Sequence, residues 1–287
     1  MVTVNSLSGG KTSSYMAIHY PADYNVFALV CIDCHNANGN YWRKNPKLLQ
    51  TVRDKLEKYS SHWPEFMATA EDPKTITTML DLEQKMGKEI IWLRGVGFDQ
   101  LIYWKKAIPN LKMRFCTEYM KIIPIFEFIY KYLPHPVEMQ IGFRADEPER
   151  AVGLRQTIDF PIHSNNYGQG RMKWVKDYEY RELSYPMIED RVMRPMVVKY
   201  WDENPEVRFP EDTGCQNCYW KDPQQIKLNY DRDPYSRSII KWANVFEHIM
   251  DKRFKKDISM QQIFNIGVQM DFFGGEGIGC QGGICGI

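Results

Sequence analysis

Two groups of residues in this chain have types and spacings that could do chemistry: a glycine-rich loop near the amino terminus and a set of cysteines. The loop is Ser8-Gly9-Gly10-Lys11-Thr12-Ser13. Two pairs of cysteines, Cys31 with Cys34 and Cys215 with Cys218, are separated by two residues, a spacing that lets two thiolates bind one metal centre. The seven cysteines are Cys31, Cys34, Cys116, Cys215, Cys218, Cys280 and Cys285. The chain therefore combines residues suited to anion binding with residues suited to metal or redox chemistry.

The glycine loop has the composition of a phosphate-binding turn between a strand and a helix. Two glycines let the backbone approach an anion closely, and a helix start offers N–H groups and a positive dipole. Lys11 and the neighbouring hydroxyl groups add further donors. The loop is not of the Walker A type, because that pattern needs a glycine where this chain has Asn5. We therefore predict phosphate binding, the alternative being a plain turn in which serine and threonine cap the helix.

The segments around the loop predict alternating strands and helices in the first half of the chain. Strands are expected over residues 2–7, 26–33, 89–93 and 137–142, and helices over 12–18, 46–59 and 117–132. Pro124 is expected to kink or restart the last of these helices. This order is typical of a parallel sheet with right-handed crossovers. The pattern changes after residue 160: residues 164–170 indicate a loop, and residues 186–210 contain four prolines. Residues 223–254 favour helix, and residues 272–287 are rich in glycine.

Length and composition limit the class of protein. With 287 residues, 44% of them hydrophobic, the chain can bury a core without disulfides. Its 37 basic and 36 acidic residues give no overall reason to bind nucleic acid, but they permit a local basic groove. No apolar run reaches the roughly 18 residues that span a bilayer, so we expect a cytoplasmic protein without membrane association. An odd number of cysteines in a reducing compartment favours metal or redox chemistry over disulfides.

Four segments, in order within residues 5–220, resemble a known superfamily. SLSGGKTSSYMA at residues 6–17 resembles the PP-loop of adenine nucleotide α-hydrolase-like proteins. Three further segments resemble the phosphoadenosine phosphosulfate (PAPS) reductase family: NLKMRFCTEYMKIIP at 110–124, IGFRADEPER at 141–150, and YPMIE at 185–189 followed by Tyr200-Trp201 and GCQNC at 214–218. The chain has Thr12 where the usual loop has aspartate, and the single Cys116 where cluster-holding reductases often have an adjacent pair.

The resemblance implies an α/β fold with a Rossmann-like, HUP-type parallel sheet of about five strands flanked by helices. Residues 1–160 would form the PP-loop nucleotide-binding domain. Residues 161–287 would form a smaller helical or irregular region that completes the core and carries the CxxC pair and the glycine-rich tail. The residues implied to bind the nucleotide, ATP or PAPS, are Ser8, Gly9, Gly10, Lys11, Thr12, Ser13, Arg144 and Arg150.

Arg144, Glu147 and Arg150 follow the fourth predicted strand. Arg144 is expected at the carboxyl edge of the sheet beside the loop, where a guanidinium can bind phosphate or sulfate oxygens with two hydrogen bonds. Arg150 would lie one helical turn further on, and Glu147 would orient either arginine. The alternative is an ordinary ion-pair cluster at a helix start, worth under about 1 kcal/mol if exposed.

The resemblance divides the cysteines by role. Cys116, Cys215 and Cys218 are implied to be metal ligands with Cys280 as the fourth, Cys285 or an exogenous ligand being alternatives. We expect a [4Fe–4S] cluster, with zinc as the alternative because both suit four cysteines. Buried small side chains are the alternative without a metal. Cys285 also resembles the mobile terminal nucleophile of sulfonucleotide reductases. For the pair Cys31 and Cys34 the sequence allows either a redox role or burial in the core.

The leading functional hypothesis is an enzyme that adenylates its substrate with ATP, releases pyrophosphate and then transfers sulfur, as in the tRNA and DNA thiolation enzymes that the chain also resembles. Lys11 and Arg144 would neutralise charge on the phosphates during catalysis. The first alternative is thiol-dependent reduction of PAPS or adenosine phosphosulfate with Cys285 as the catalytic nucleophile. The second is a non-catalytic nucleotide- or iron–sulfur-binding module of a phage or DNA-modification system.

These hypotheses name the expected partners. Both enzyme hypotheses include an adenine nucleotide, and the first adds a tRNA, DNA or small-molecule acceptor and a thiol or persulfide donor protein. Mg²⁺ is a further candidate cofactor, and a homodimer is a candidate assembly. Basic stretches at residues 43–58 and 252–256 are most simply solvated helix faces, although they leave a nucleic-acid substrate open.

Overall fold

The computed structural model describes residues 1–34, 37, 41–163 and 172–267 of the chain. Within these ranges strands alternate with helices through the first half, and helices predominate in the last part. The strands are β1 (Thr3–Leu7), β2 (Tyr24–Ala28), β3 (Cys31–Ile32), β4 (Ala68–Thr69), β5 (Ile90–Leu93), β6 (Val137–Ile141), β7 (Thr157–His163), β8 (Met172–Glu179) and β9 (Arg181–Ser184).

The helices are α1 (Lys11–His19), α2 (Tyr41–Lys44), α3 (Pro46–Ser60), α4 (Lys74–Met86), α5 (Phe98–Lys105), α6 (Phe115–Thr117), α7 (Ile123–Tyr132), α8 (Pro186–Glu189), α9 (Arg194–Glu203), α10 (Pro223–Arg232), α11 (Pro234–Met250) and α12 (Met260–Phe264). A π-helical turn, Glu118–Ile122, lies between α6 and α7, and a 3₁₀ turn, Pro148–Ala151, follows β6. Several helices have proline in their first turn, where its missing N–H costs no helical hydrogen bond. No helix in the described ranges is long and apolar enough to cross a membrane.

Five strands form one central sheet in the order β5-β2-β1-β6-β9, and every neighbouring pair is parallel. β1 is the middle strand, with Val4 opposite Tyr24 of β2 and Met139 of β6. β2 and β5 are almost entirely buried, as expected for parallel strands covered by helices on both faces. The predicted α/β class with a parallel sheet of about five strands is confirmed, and this topology is consistent with a Rossmann-like fold.

The strand order places one edge of the sheet in a special position. The chain runs from β1 to β2 and β5 on one side, and then to β6 and β9 on the other. The carboxyl ends of β1 and β6 therefore flank the point where the strand order reverses, which is the usual position of a ligand crevice in open α/β sheets. The glycine loop follows β1 and Arg144 follows β6, so both predicted groups lie at this edge.

Apolar side chains cover both faces of the sheet. On one face α7 packs Phe126 and Ile129 against Val4 and Met139 of the sheet. On the other face a larger cluster joins α1, α3, α4 and α5 to α9, α10, α11 and α12. The sheet is thus the middle layer between two layers of helices, and its carboxyl edge remains available for function.

Two predicted elements differ in detail from the structure. The apolar run over residues 26–33 is divided, because β2 ends at Ala28 and β3 leaves the central sheet to pair antiparallel with β4. The helical pattern over residues 117–132 contains the π-helical turn, and α7 restarts at Ile123 with Pro124 in its first turn. The predicted restart is confirmed, since proline lacks the N–H that an unbroken helix requires.

An antiparallel hairpin, formed by β7 and β8, lies between β6 and β9 along the chain. The sequence patterns did not predict these two strands. The boundary predicted between residues 160 and 161 falls inside β7, and β9 from the second part completes the central sheet beside β6. The loop predicted at 164–170 and the tail at 272–287 lie outside the described residues.

Candidate functional site

The glycine loop joins the end of β1 to the start of α1. Gly10 immediately precedes the helix and has an extended backbone, and the first-turn N–H groups of an α-helix have no acceptor within the helix. The Ser13 hydroxyl closes the loop internally: it donates to the Gly10 carbonyl at 3.2 Å and accepts from the Ser8 backbone N–H at 3.1 Å. The Ser8 hydroxyl lies 3.0 Å from the same Ser13 oxygen. A braced helix start with these hydroxyls is suited to binding an anion.

Two glycines are required by the close packing around this loop. Gly9 has a φ of +78°, and a Cβ at this position would lie 2.2 Å from Cγ2 of Thr75 in α4. Gly142, just after β6, would place a Cβ 3.1 Å from Cα of Ser13. A Cβ would clash at Gly9 and would press on the loop backbone at Gly142, so α4 and the end of β6 both approach the loop directly.

Arg144 lies at the loop, where the sequence placed it. Its Nη1 donates to Oγ1 of Thr12 at 3.0 Å, which joins the end of β6 to the first turn of α1. Its Nε and Nη2 donate to the carboxylate of Asp146 at 3.0 Å and 3.2 Å. Although partial burial opposes ionisation, hydrogen bonds from Arg144 and from the Arg194 backbone hold the pKa of Asp146 below its ordinary value. The guanidinium is therefore oriented by a charged partner.

Glu147 and Arg150 extend this ion-pair cluster. Glu147 accepts from Nη1 of Arg150 at 2.7 Å and lies 3.4 Å from Nη2 of Arg144. The guanidinium of Arg150 lies over the ring of Phe143, 4.4 Å from its centroid. The structure thus brings both predicted arginines to one carboxylate, as expected if Glu147 orients them.

Lys11 is the first residue of α1 and reaches outward from the loop. Its side chain is 41% exposed, and its Nζ lies 4.0 Å from a carboxylate oxygen of Asp202. Its backbone carbonyl accepts a hydrogen bond from the indole of Trp201 at 2.8 Å. Trp201 of α9 therefore holds the backbone of Lys11, and the ammonium group of Lys11 stays accessible to a ligand from solution.

These residues line one cleft of about 860 Å³ at the carboxyl edge of the sheet. Its walls are the glycine loop, the residues that follow β6, the first turn of α9, and residues 209–213. Sequence reasoning missed the contributions of Asp146, Arg194, Phe209 and Asp212. Asp146 lies within the IGFRADEPER segment and could have been included from that resemblance, whereas the others reach the cleft through tertiary packing and carry no local signal.

Residues 209–221 connect the cleft to the cysteines. Asp212 lines the cleft, is 3% exposed, and forms an ion pair with the buried ammonium group of Lys221. Its Oδ2 also accepts from the side chain of Asn229 in α10 at 2.6 Å, while its Oδ1 is buried without a hydrogen-bond partner among the described residues. A single segment anchored to α10 therefore forms a cleft wall and then carries Cys215 and Cys218.

The structure brings three of the predicted cysteines into one region. Cys215 and Cys218 lie in a turn closed by the hydrogen bond from the Cys218 N–H to the Cys215 carbonyl at 3.1 Å. Cys116 Sγ lies 3.9 Å from the hydroxyl of Tyr219, the residue after this turn. Burial, and then the charge of Glu71, raises the pKa of the Cys215 thiol. Glu71 itself is paired with Lys121 at 3.1 Å.

The described residues do not supply a complete ligand set for the predicted metal. No group of three or more histidine, cysteine, aspartate or glutamate side chains within them is arranged to hold a metal ion. Cys280, predicted as the fourth ligand, and Cys285, predicted as ligand or nucleophile, lie outside the described residues. The iron–sulfur cluster and its zinc alternative therefore stay predictions.

The other CxxC pair, Cys31 and Cys34, has one buried and one half-buried cysteine. Cys31 is buried in β3 and its thiol contacts the Leu29 carbonyl at 3.6 Å. Burial raises the pKa of this thiol to about 12, so it is protonated at neutral pH. Cys34 is half-buried in the segment that follows. For Cys31 the structure favours a core residue over a reactive thiolate.

Comparisons with protein-family models, with curated proteins and with solved structures found no match to this chain. The fold and the site define the class only coarsely. It is an α/β protein whose all-parallel sheet carries a glycine loop and a charged arginine cluster at the point where the strand order reverses. Proteins of this architecture bind their ligands at that point.

Proposed function

We propose that the protein is a PP-loop enzyme that binds an adenine nucleotide in the cleft and uses ATP to adenylate a substrate, releasing pyrophosphate, before sulfur transfer to a nucleic acid or small molecule. The observation that carries the proposal is the contact of Arg144 with Thr12, 3.0 Å, at the start of α1. It places a guanidinium against the helix start and glycine backbone that suit phosphate oxygens. The order of the four resembling segments adds support.

The charges at the loop suit a triphosphate. The backbone N–H groups at the helix start, braced by Ser8 and Ser13, offer neutral donors, and Lys11 and Arg144 bring positive charge from two directions. Asp146 and Glu147 keep the Arg144 guanidinium in position before the nucleotide arrives. A site whose donors are already oriented spends little free energy on reorganisation as charge develops.

The proposed reaction has two steps, adenylation and sulfur transfer. A substrate oxygen attacks the α-phosphorus of ATP, the bond to the bridging oxygen of the β-phosphate breaks, and pyrophosphate leaves with the bonding electron pair. Lys11 and Arg144 stabilise the negative charge that accumulates on the departing phosphates. The terminal sulfur of a donor persulfide then attacks the carbon that bears the AMP group, the carbon–oxygen bond breaks and AMP leaves with its electrons. A second thiol attacks the donor sulfur of the resulting disulfide and breaks the S–S bond. The transferred sulfur stays on the substrate as a thiolate, and the donor and the second thiol leave as a disulfide.

The first test measures nucleotide affinity by calorimetry in the full-length chain. Lys11→Ala and Arg144→Ala should each weaken ATP binding by about ten- to a hundredfold, because each removes a charged hydrogen bond worth roughly 1.5–3 kcal/mol. Arg144→Lys should fall between Arg144→Ala and wild type, since it keeps the charge but loses the planar fork. Lys199→Ala is the matched control, because Lys199 is 77% exposed on α9 and pairs only loosely with Glu203 at 3.9 Å.

The same proteins separate the competing functions. Pyrophosphate release from ATP in the presence of bulk tRNA or DNA supports adenylation, and ATP binding without release under any condition supports a non-catalytic module. Preferential binding of PAPS over ATP supports the sulfonucleotide reductase alternative. If wild type binds neither nucleotide, or if Lys11→Ala and Arg144→Ala bind ATP as wild type does, the proposed site is wrong.

A further inference from the structure

A second surface, separate from the nucleotide cleft, combines exposed aromatic rings with basic side chains. Tyr103 and Trp104 lie at the end of α5 and are 52% and 63% exposed. The loop that follows exposes Leu111 and Met113 on either side of Lys112. We call this surface, formed by residues 103–106, 111–114 and 119 with Lys252, the α5 platform.

Contacts beneath the α5 platform fix its rings while leaving them accessible. The Trp104 ring meets the ring of Tyr119 edge to face with centroids 5.4 Å apart, and Tyr103 meets Phe246 of α11 at 5.3 Å. Lys105 lies 4.0 Å over the Tyr119 ring and donates to its hydroxyl at 2.7 Å. These ring contacts anchor two large aromatic side chains that remain more than half exposed, so little rotamer freedom is left to lose when a flat ligand stacks on them.

The platform is basic although the chain as a whole is not. Residues 103–119 and 251–253 contain six basic side chains against two acidic ones, whereas the whole chain has 37 against 36. The acidic residues are Glu118 and Asp251, and the basic ones are Lys105, Lys106, Lys112, Arg114, Lys252 and Arg253. The Nζ of Lys252 donates to the Lys106 carbonyl at 2.8 Å, which brings Lys252, just after α11, to the platform.

We propose that the α5 platform binds single-stranded nucleic acid, with bases stacked on Trp104 and Tyr103 and phosphates beside the lysines and arginines. Exposed aromatic rings interleaved with basic groups are the surface chemistry of single-strand binding, because every base has a face that stacks and every nucleotide carries a phosphate. An apolar protein partner would not require the excess of positive charge. This excess complements a polyanion, which commits the surface to nucleic acid.

The position of the platform also gives the substrate class of the proposed sulfur transfer, and in this respect the inference rests on the proposed function. The platform loop runs directly into α6, which carries Cys116, and Tyr119 of the platform lies one turn beyond it. Cys116 in turn contacts Tyr219 beside the CxxC turn. A strand on the platform would therefore lie next to α6 and Cys116, so the acceptor is a nucleic acid rather than a small molecule.

The test is fluorescence anisotropy with the full-length chain and a labelled oligodeoxythymidine or oligouridine of about 12 nucleotides, within the usual site size for one domain. Trp104→Ala should weaken binding about tenfold or more, whereas Trp104→Phe, which keeps a stacking ring, should stay within about threefold of wild type. Lys112→Ala should reduce the slope of log affinity against log salt by about 0.7. Circular dichroism checks that each variant is folded.

Tyr132→Ala is the matched control. Tyr132 is 45% exposed on α7 and has Lys131 5.1 Å over its ring, but it lies outside the platform. It should leave oligonucleotide binding unchanged. Absence of binding by wild type at low salt, or equal losses in Trp104→Ala and Tyr132→Ala, would overturn the proposal. Self-association in gel filtration that Trp104→Ala abolishes would also overturn it by assigning the surface to a second copy of the chain.

The nucleotide and nucleic-acid proposals fail separately in this design. Trp104→Ala should bind ATP as wild type does, and Arg144→Ala should bind the oligonucleotide as wild type does. A wild-type chain that binds ATP but no oligonucleotide would refute the platform and leave the cleft standing. A wild-type chain that binds the oligonucleotide but neither ATP nor PAPS would refute the cleft and leave the platform standing.

Discussion

Gly9 has no Cβ, and helix α4 therefore contacts the glycine loop directly. The Thr75 methyl group occupies the space that a side chain at residue 9 would need, and the positive φ of Gly9 disfavours any other residue. The loop in turn meets Arg144 through Thr12. The geometry of the whole site is therefore sensitive to single atoms at the loop.

Gly9→Ala should destabilise the fold by about 2–4 kcal/mol through backbone strain and overpacking, and should weaken ATP binding about tenfold or more. Adding Thr75→Ser removes the clashing methyl group, since the nearest remaining atom of Thr75 would lie 3.4 Å away. The double variant should therefore recover part of the lost stability and affinity, as measured by urea unfolding and ATP calorimetry.

Gly87→Ala is the control that measures the cost of backbone strain without the cost of overpacking. Gly87 also has a positive φ, +59°, but no atom lies within 4 Å of a Cβ built there. It should cost only about 1–2 kcal/mol of strain and leave ATP binding intact. Equal losses in Gly9→Ala and Gly87→Ala, with no rescue by Thr75→Ser, would contradict the proposed packing of α4 on the loop.

At the scale of elements, one wall of the cleft depends on α4. Arg208, just before the cleft residue Phe209, donates three hydrogen bonds to Asp81 of α4, two of them from its guanidinium at 2.7 Å and 2.8 Å. Its carbonyl accepts from the Thr78 hydroxyl at 2.6 Å. Although partial burial opposes ionisation, the hydrogen bonds from Arg208 hold the pKa of Asp81 below its ordinary value. The same helix that contacts Gly9 therefore positions residues 209–213.

The lowered pKa of Asp81 predicts a pH-dependent contribution to stability. The contribution is complete above the unfolded-state pKa of about 3.9 and is lost as the pH falls through the lower folded-state value. Asp81→Asn should therefore destabilise the protein at pH 7, and its difference from wild type should shrink at about pH 3. Urea unfolding at both pH values measures this difference. Glu203→Gln, at an exposed ion pair, is the control and should change little at either pH. A difference for Asp81→Asn that grows on acidification would contradict the ion pair.

At the scale of the molecule, the two halves of the chain share one hydrophobic core. The larger apolar cluster contains Met16 of α1 together with Trp201, Ile239 and Phe246 from the second half. β9 adds the last strand of the sheet, with Met139 of β6 in register with its Leu183. Residues 1–160 therefore depend on later residues for much of their apolar packing.

A fragment of residues 1–160 should consequently fail to fold cooperatively. It would leave the β6 edge unpaired and would expose the apolar faces that α9, α10, α11 and α12 cover in the full chain. We expect near-ultraviolet circular dichroism to be lost and a hydrophobic dye to bind, while the full chain unfolds in one transition. A fragment that unfolds cooperatively with a native near-ultraviolet spectrum would establish residues 1–160 as an independent domain.

Several parts of this structure could be predicted because their signals are local. An apolar run marks β5, and apolar residues alternate with polar ones in β6. The two glycines followed by hydroxyl residues indicate a loop entering a helix after β1. β9 has no comparable signal, since Arg181–Ser184 is short and Leu183 is its one apolar residue. Its place in the sheet comes from pairing with β6, which no local pattern specifies.

The sequence by itself determined a parallel α/β sheet, with the glycine loop and Arg144 following two of its strands. Because parallel strands end at the same edge, this order alone brings the two groups to one side of the sheet. Only the tertiary structure decided that Arg144 reaches Thr12, that residues 209–213 close the cleft, and that Trp104 stays exposed beside Lys105. These features join residues far apart in the chain or depend on what covers a surface, and both are set by helix packing rather than by spacing along the sequence.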